Sequence, residues 1–193
     1  SKDIAILSPF LMFLRHTYPC GFIVASTFLP LRVILQGVLS LSVPIIRPDT
    51  PKCAMKDIRI SDHGNWRHLH WNAIESAYNN TPFFEYYKDD LRPFYENKYT
   101  FLADFNEELR CKICELMDIS PVVEHTASYH TDFLPDEADY REVIHPKKDY
   151  TEVDKDFLPK PYYQVFESRH GFLPNLSVID LLFNMGPESV LVL

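Results

Sequence analysis

"GNWRHLHWNAIESAYNNTPFFEYY" (residues 64–87) places two tryptophans, two histidines and five Phe/Tyr rings in one short run. Wound as a helix at about 100° per residue, residues 66–79 divide into two arcs. Ile74, Tyr78, Trp71, His70, Ala77, Trp66, Ala73 and Leu69 share the apolar one. Glu75, His68, Asn79, Asn72 and Ser76 share the other. The pattern predicts an amphipathic helix whose aromatic side enters a core. Leu69 and Ile74 are expected to be buried on that side.

Strand signals surround this helix. "CGFIVASTF" and "GVLSLSVPII" are short, β-branched and bounded by Gly or Pro, and "KDIRISD" (56–62) alternates apolar and polar residues. "SDHGN" supplies cap residues ahead of the helix. Thr81-Pro82 marks a break, since a residue before proline avoids helical angles. Pro93 predicts a kink or restart in the next helical stretch. "TFLADFNEELRCKICELMDIS" reads as a further helix, and "YYQVFES" (162–168) as a strand. "LSVIDLLFNMGPES" reads as a short helix with Ser177 as N-cap, Asp180 at the capping-box position and Gly186-Pro187 as its stop. The expected architecture is α/β: one domain over residues 1–193, with a small central sheet flanked by helices. Its strands fall near 22–28, 37–45, 57–60 and 162–167, and its helices near 66–79, 83–98, 101–117 and 177–185.

Composition bounds the function classes. With 27 acidic against 19 basic residues the net charge is −8, the opposite of a nucleic-acid footprint. Residues 1–46 are atypical, with only Lys2, Asp3, Arg15 and Arg32 charged. Their uncharged runs, 16–31 and 33–46, are interrupted by prolines and are shorter than the roughly 20 residues of a spanning helix. No integral membrane segment is expected, and a reducing cytoplasm is the default compartment. Residues 130–160 hold nine acidic and five basic residues with scattered apolar groups. They read as a long acidic surface excursion, either a solvated loop or a lid.

Cys111-x-x-Cys114 lacks a second ligand pair for zinc and a βαβ setting for redox chemistry, so it reads as two half-buried thiols on one helix face. His68 and His70 cannot share a metal on a regular helix, because they point about 200° apart. No metal and no cofactor is expected: Walker, G-x-G-x-x-G, G-x-S-x-G and kinase motifs are all missing.

His70 is the candidate general base. A buried imidazole needs a hydrogen-bond partner and its proton affinity is easily moved; a satisfied core histidine is the plain alternative. Trp71 and Tyr78, on the same side, are candidates for stacking a sugar, against the alternative of core packing. Asp180 and Asn184, four apart in an apolar run, are a carboxylate and an amide aimed into a pocket, or helix-end chemistry. Asp104 and Asn106 in "LADFNEEL" are either a cap or a pocket edge. Gln164 in "YYQVFES" completes the substrate-binding candidates.

Three blocks in order, "HGNWRHLHWNAIESAYNNTPFFEYY", "FLADFNEEL" and "YYQVFESRHGFLPNLSVIDLLFNMGPES", resemble the WbqC-like family over roughly residues 37–193. Residues 1–36 show neither the Tyr- and Pro-rich turn nor the Asn-Arg pair that members carry in that region. The family occurs in bacteria, often beside genes for lipopolysaccharide O-antigen. The resemblance implies a role in polysaccharide biosynthesis, with acyl or aminoacyl (glycine) transfer onto a sugar-nucleotide or glycan precursor. His70 would then be the base and Asp180 its orienting carboxylate. A non-catalytic binding or scaffold protein of a polysaccharide-assembly complex is the alternative.

Overall fold

The computed structural model describes residues 5–6, 22–23, 31–34, 38–47, 53–123, 160–174 and 176–193. Helices dominate them: α1 (Trp66–Tyr78), α2 (Phe84–Leu91), α3 (Pro93–Glu96), α4 (Leu102–Leu116), α5 (Glu167–His170) and α6 (Val178–Met185). Strand pairing is limited to a parallel two-residue match, β1 (Ala5–Ile6) with β2 (Phe22–Ile23), and an antiparallel hairpin, β3 (Leu31–Ile34) with β4 (Val38–Leu41).

The expected central sheet is therefore absent among the described residues. Two places explain why. Residues 57–60 find only isolated bridges, Ile60 to Ile45 and Arg59 to Phe101, so the alternating run never becomes a strand. Near 162–167 side chains, not a neighbouring strand, bond the backbone of Val165 and of Leu173. The Gln164 amide donates to the Leu173 carbonyl (2.8 Å) and accepts from the Leu173 N–H (2.9 Å), and the Val165 N–H donates to Asn184 Oδ1 (3.0 Å). Backbone groups satisfied in this way have no call on a strand partner, and the chain turns into α5 at Glu167. The expected excursion at 130–160 lies outside the described residues, except for the exposed Lys160.

The helices follow local rules. Pro93 sits in the first turn of α3, where its missing N–H costs nothing, and it separates α3 from α2. Ser177 caps α6, its hydroxyl accepting from the Ile179 N–H (3.4 Å). Asp180 does not close a capping box; its carboxylate turns to other partners, described below. Asn65, just ahead of α1, is in left-handed backbone (φ 50°) and its side chain makes no cap, so the cap expected from "SDHGN" is not made. α6 ends at Gly186, whose φ of +57° favours glycine. A Cβ there would also stand 2.5 Å from the Phe83 ring.

α6, rather than a sheet, occupies the centre: Val178 through Asn184 are all buried, the signature of a helix packed on every side. Tyr78 and Phe84 meet Phe183 there, with ring centroids 5.0 and 5.1 Å apart. Around it pack Ile74 of α1, Leu91 of α2, and Leu109 and Ile113 of α4. Ile74 is 1% exposed, but Leu69, expected beside it in the core, is 59% exposed. Leu69 lies at the margin of the apolar arc, and no element among the described residues buries it. Cys111 is exposed and Cys114 buried, with Arg110 bonded to both sulfurs and paired to Glu107.

Candidate functional site

α1 carries polar chemistry at both ends. At its C-terminal end, Tyr78 is fully buried and hydrogen-bonded to the Asp180 carboxylate. The Tyr162 hydroxyl donates to the same carboxylate at 2.7 Å, and the Gln164 amide approaches it at 3.5 Å. Asn184 donates to the Asp180 carbonyl (2.7 Å), which locks its side chain to accept from Val165. Burial pushes the Asp180 carboxyl up to about 6, against the pull of these donors. Burial, then the neighbouring Asp180 charge, raises both tyrosines above their ordinary range.

At the N-terminal end of α1 a cleft of about 410 Å³ opens, within the size range of small-molecule sites. Trp71 and Tyr95 line it as an aromatic pair, centroids 5.8 Å apart. His68, Asn72 and Glu75, at helical spacing, form one polar wall. Asp62, Arg67, Lys98, Arg92 and Glu96 form a charged rim. Asp62 accepts from Arg67 (2.6 Å) and Lys98 (3.0 Å), and these two cations hold its carboxyl below the usual range. Arg92 pairs with Glu96 at 2.6 Å.

His70 lies between the two regions and lines neither. Its ring meets Trp66 at 5.1 Å and Tyr95 at 6.3 Å, edge to face. Burial lowers its pKa to about 4, opposed by a backbone hydrogen bond with Ser42, so the ring is neutral at pH 7.

The structure thus brings Tyr78, Gln164, Asp180 and Asn184 into one network and sets Trp71 in the cleft. It does not join His70 to Asp180: their partners do not overlap, and His70 and Tyr78 are about 12 Å apart along the helix axis at 1.5 Å per residue. Asp104 and Asn106 lie on α4, exposed and half-buried, in neither grouping. The cleft also uses residues that the sequence reading assigned to solvent, His68, Asn72 and Glu75, and residues it did not single out, Arg67 and Tyr95. The available signal was the 68, 72, 75 spacing beside Trp71. No group of three or more His, Cys, Asp or Glu among the described residues could hold a metal ion, and no helix among them is long and apolar enough to cross a membrane.

Comparison with known proteins bears on this arrangement. The uncharacterized protein Rv1507c of Mycobacterium tuberculosis (strain ATCC 25618 / H37Rv) is 27% identical over 174 residues, 80% of this chain and 75% of that protein. No solved structure matches the chain. The family model described as "WbqC-like protein family" matches residues 31–139. That span is more than half of the chain and contains every residue lining the cleft. The chain belongs to the WbqC-like protein family.

Proposed function

We propose that this protein serves bacterial surface-polysaccharide biosynthesis by holding an activated sugar or glycan precursor in the Trp71–Tyr95 cleft. Family membership supports the pathway class. The observation that carries the binding role is the composition of the cleft: two aromatic rings beside the amide of Asn72, the imidazole of His68 and the carboxylate of Glu75. Sugar rings present apolar C–H faces and a rim of hydroxyls, and this arrangement offers a partner to each.

The test uses the protein's own fluorescence, since it has two tryptophans and one of them lines the cleft. Titration with a panel of nucleotide-activated sugars and short glycans should change the emission of at least one sample at millimolar ligand or below. Asn72→Ala and Glu75→Gln should each weaken that binding about tenfold, the scale of one lost hydrogen bond to a polar ligand. No binding by any member of the panel would overturn the reading.

One contact favours catalysis over binding alone. His68 Nε2 stands 2.9 Å from the Asn72 amide. With the amide donating, Nε2 accepts and the ring proton is assigned to Nδ1. When a bound precursor takes the Asn72 amide as its own donor, the freed Nε2 lone pair is placed for general-base work in acyl or aminoacyl transfer to a sugar amine or hydroxyl. The buried His70 is the other proposal for that role, acting without Asp180, whose carboxylate Tyr78 and Tyr162 hold. Parallel transfer assays on His68→Gln and His70→Gln separate them: the base is the histidine whose amide replacement abolishes transfer while the other variant retains it. Transfer retained in both variants removes histidine catalysis.

A further inference from the structure

Arg67 keeps its bidentate edge buried and unpaired. Its Nη1 donates to Asp62 at 2.6 Å. Its other two nitrogens, Nε and Nη2, are buried and have no hydrogen-bond partner. These two N–H groups form the side-on fork of a guanidinium, whose parallel donors match two oxygens of one carboxylate or phosphate. The plane of the fork is fixed: Arg67 lies over the Trp66 ring, 4.7 Å from guanidinium carbon to ring centroid, and its side chain is only 12% exposed.

A second donor in the same cleft is also unused. The Trp71 indole Nε1 is buried without a partner, in a side chain 7% exposed. Trp66, five residues earlier, donates its own indole N–H to the Ser61 carbonyl at 3.0 Å. The first turn of α1 adds a positive field, with no side-chain cap and no acidic residue in it. Buried donors left without acceptors are costly, and here three nitrogens on two residues lining one cleft share that condition.

We infer that the Arg67 fork, with the Trp71 indole N–H beside it, is the subsite for an oxyanion on the bound precursor, a phosphate or a carboxylate. The inference rests on the reading of the cleft as the precursor site and adds that the precursor is anionic. The fork is closed from solvent in the free protein, so an oxyanion reaches it only when the cleft wall moves.

The experiment compares glucose, glucose 1-phosphate, glucuronate and inorganic phosphate on the native protein and on Arg67→Lys, which keeps the charge and loses the fork. The native protein should bind glucose 1-phosphate or glucuronate at least tenfold more tightly than glucose. The tighter of the two identifies the oxyanion as phosphate or carboxylate. Arg67→Lys should erase that preference. In the native protein, the Arg67 Nε–H and Trp71 indole N–H resonances should both shift on adding the anionic sugar, a readout that stands even if the variant does not fold. Equal affinity for charged and neutral sugars, or unmoved resonances, overturns the oxyanion subsite while leaving the precursor reading in place. Inorganic phosphate shifting both resonances while no sugar binds supports the subsite and removes the precursor reading.

Discussion

The two ends of α1 bury polar groups in different ways. At Tyr78 every polar atom of the grouping has a partner: Asp180 gathers two hydroxyls and an amide, and Asn184 bridges α6 to Val165. At Arg67 and Trp71 three buried nitrogens have none. A closed network holds helices in register and needs nothing from outside. An open one is unfavourable until something supplies the missing acceptors. The difference separates scaffold from site on one helix, although sequence chemistry alone ranked Asp180 above Arg67.

The largest test breaks the closed end. Asp180→Ala leaves the Tyr78 and Tyr162 hydroxyls without their carboxylate. At about 1–3 kcal/mol for each orphaned donor, the loss is expected to be about 2–6 kcal/mol in urea unfolding. The measurement belongs at pH 5, below the raised carboxyl pKa, where relief of charge burial does not offset the loss. A change under 1 kcal/mol would mean that the network contributes nothing to the scaffold.

Ile74 sits between the two ends and is 1% exposed. Ile74→Ala should cost about 2–5 kcal/mol, showing that the middle of the helix belongs to the core and not to the cleft. Retention of native stability would place α1 outside the cooperative unit.

Titration sharpens the comparison further. Asp180, with its pKa raised to about 6, binds a proton more readily in the folded state than unfolded. Its contribution to stability is full below about pH 4 and is lost as pH rises through 6. His70, lowered to about 4, behaves in the opposite sense: its contribution is present above about 6.5 and lost as pH falls through 4. Between pH 4 and 6 the two slopes, each up to about 1.4 kcal/mol per pH unit, nearly cancel. His70→Gln should therefore expose a fall in stability as pH rises from 4 to 6. Asp180→Asn should expose a rise over the same interval. Parallel pH profiles for both variants and the native protein would show that neither group titrates as its burial implies.

The smallest effect is expected at Leu69. It is exposed, so Leu69→Ala should move stability by no more than about 0.5 kcal/mol. A loss near that of Ile74→Ala would reveal a packing partner for the outer margin of α1.

What the residues disclosed followed the range of each interaction. The helices around Trp71, Pro93, Phe105 and Leu181 were readable because capping, proline breaks and 3.6-residue spacing act within a few positions. The central sheet was not, because a strand needs a distant backbone partner, and an alternating run does not say whether one is available. At Gln164 and Asn184 the partner was a side chain, which resembles any other amide in a sequence. Leu69 failed for a related reason, since a helical projection finds an apolar arc but not what covers its edge. The grouping of Tyr78, Gln164, Asp180 and Asn184 was anticipated as candidates residue by residue, without the hydrogen bonds that join them. The cleft was missed because His68, Asn72 and Glu75 form the polar face of an amphipathic helix, the face conventionally assigned to water.

Gly186 has a consequence for how the chain is assembled in time. Its bare backbone lets the Phe83 ring lie against the end of α6, where the Phe83 N–H also donates to the Phe183 carbonyl (3.1 Å). One hundred residues separate these two phenylalanines along the chain. At roughly 5–20 residues per second of translation, Phe83 waits about 5–20 s on the ribosome before its partner is made. Through that interval Tyr78 and Phe84 lack the helix that fills their core. A side chain at Gly186 would strike the Phe83 ring at the closing step, so the defect would be felt first as aggregation of nascent chains, and only then as lower stability of those that fold.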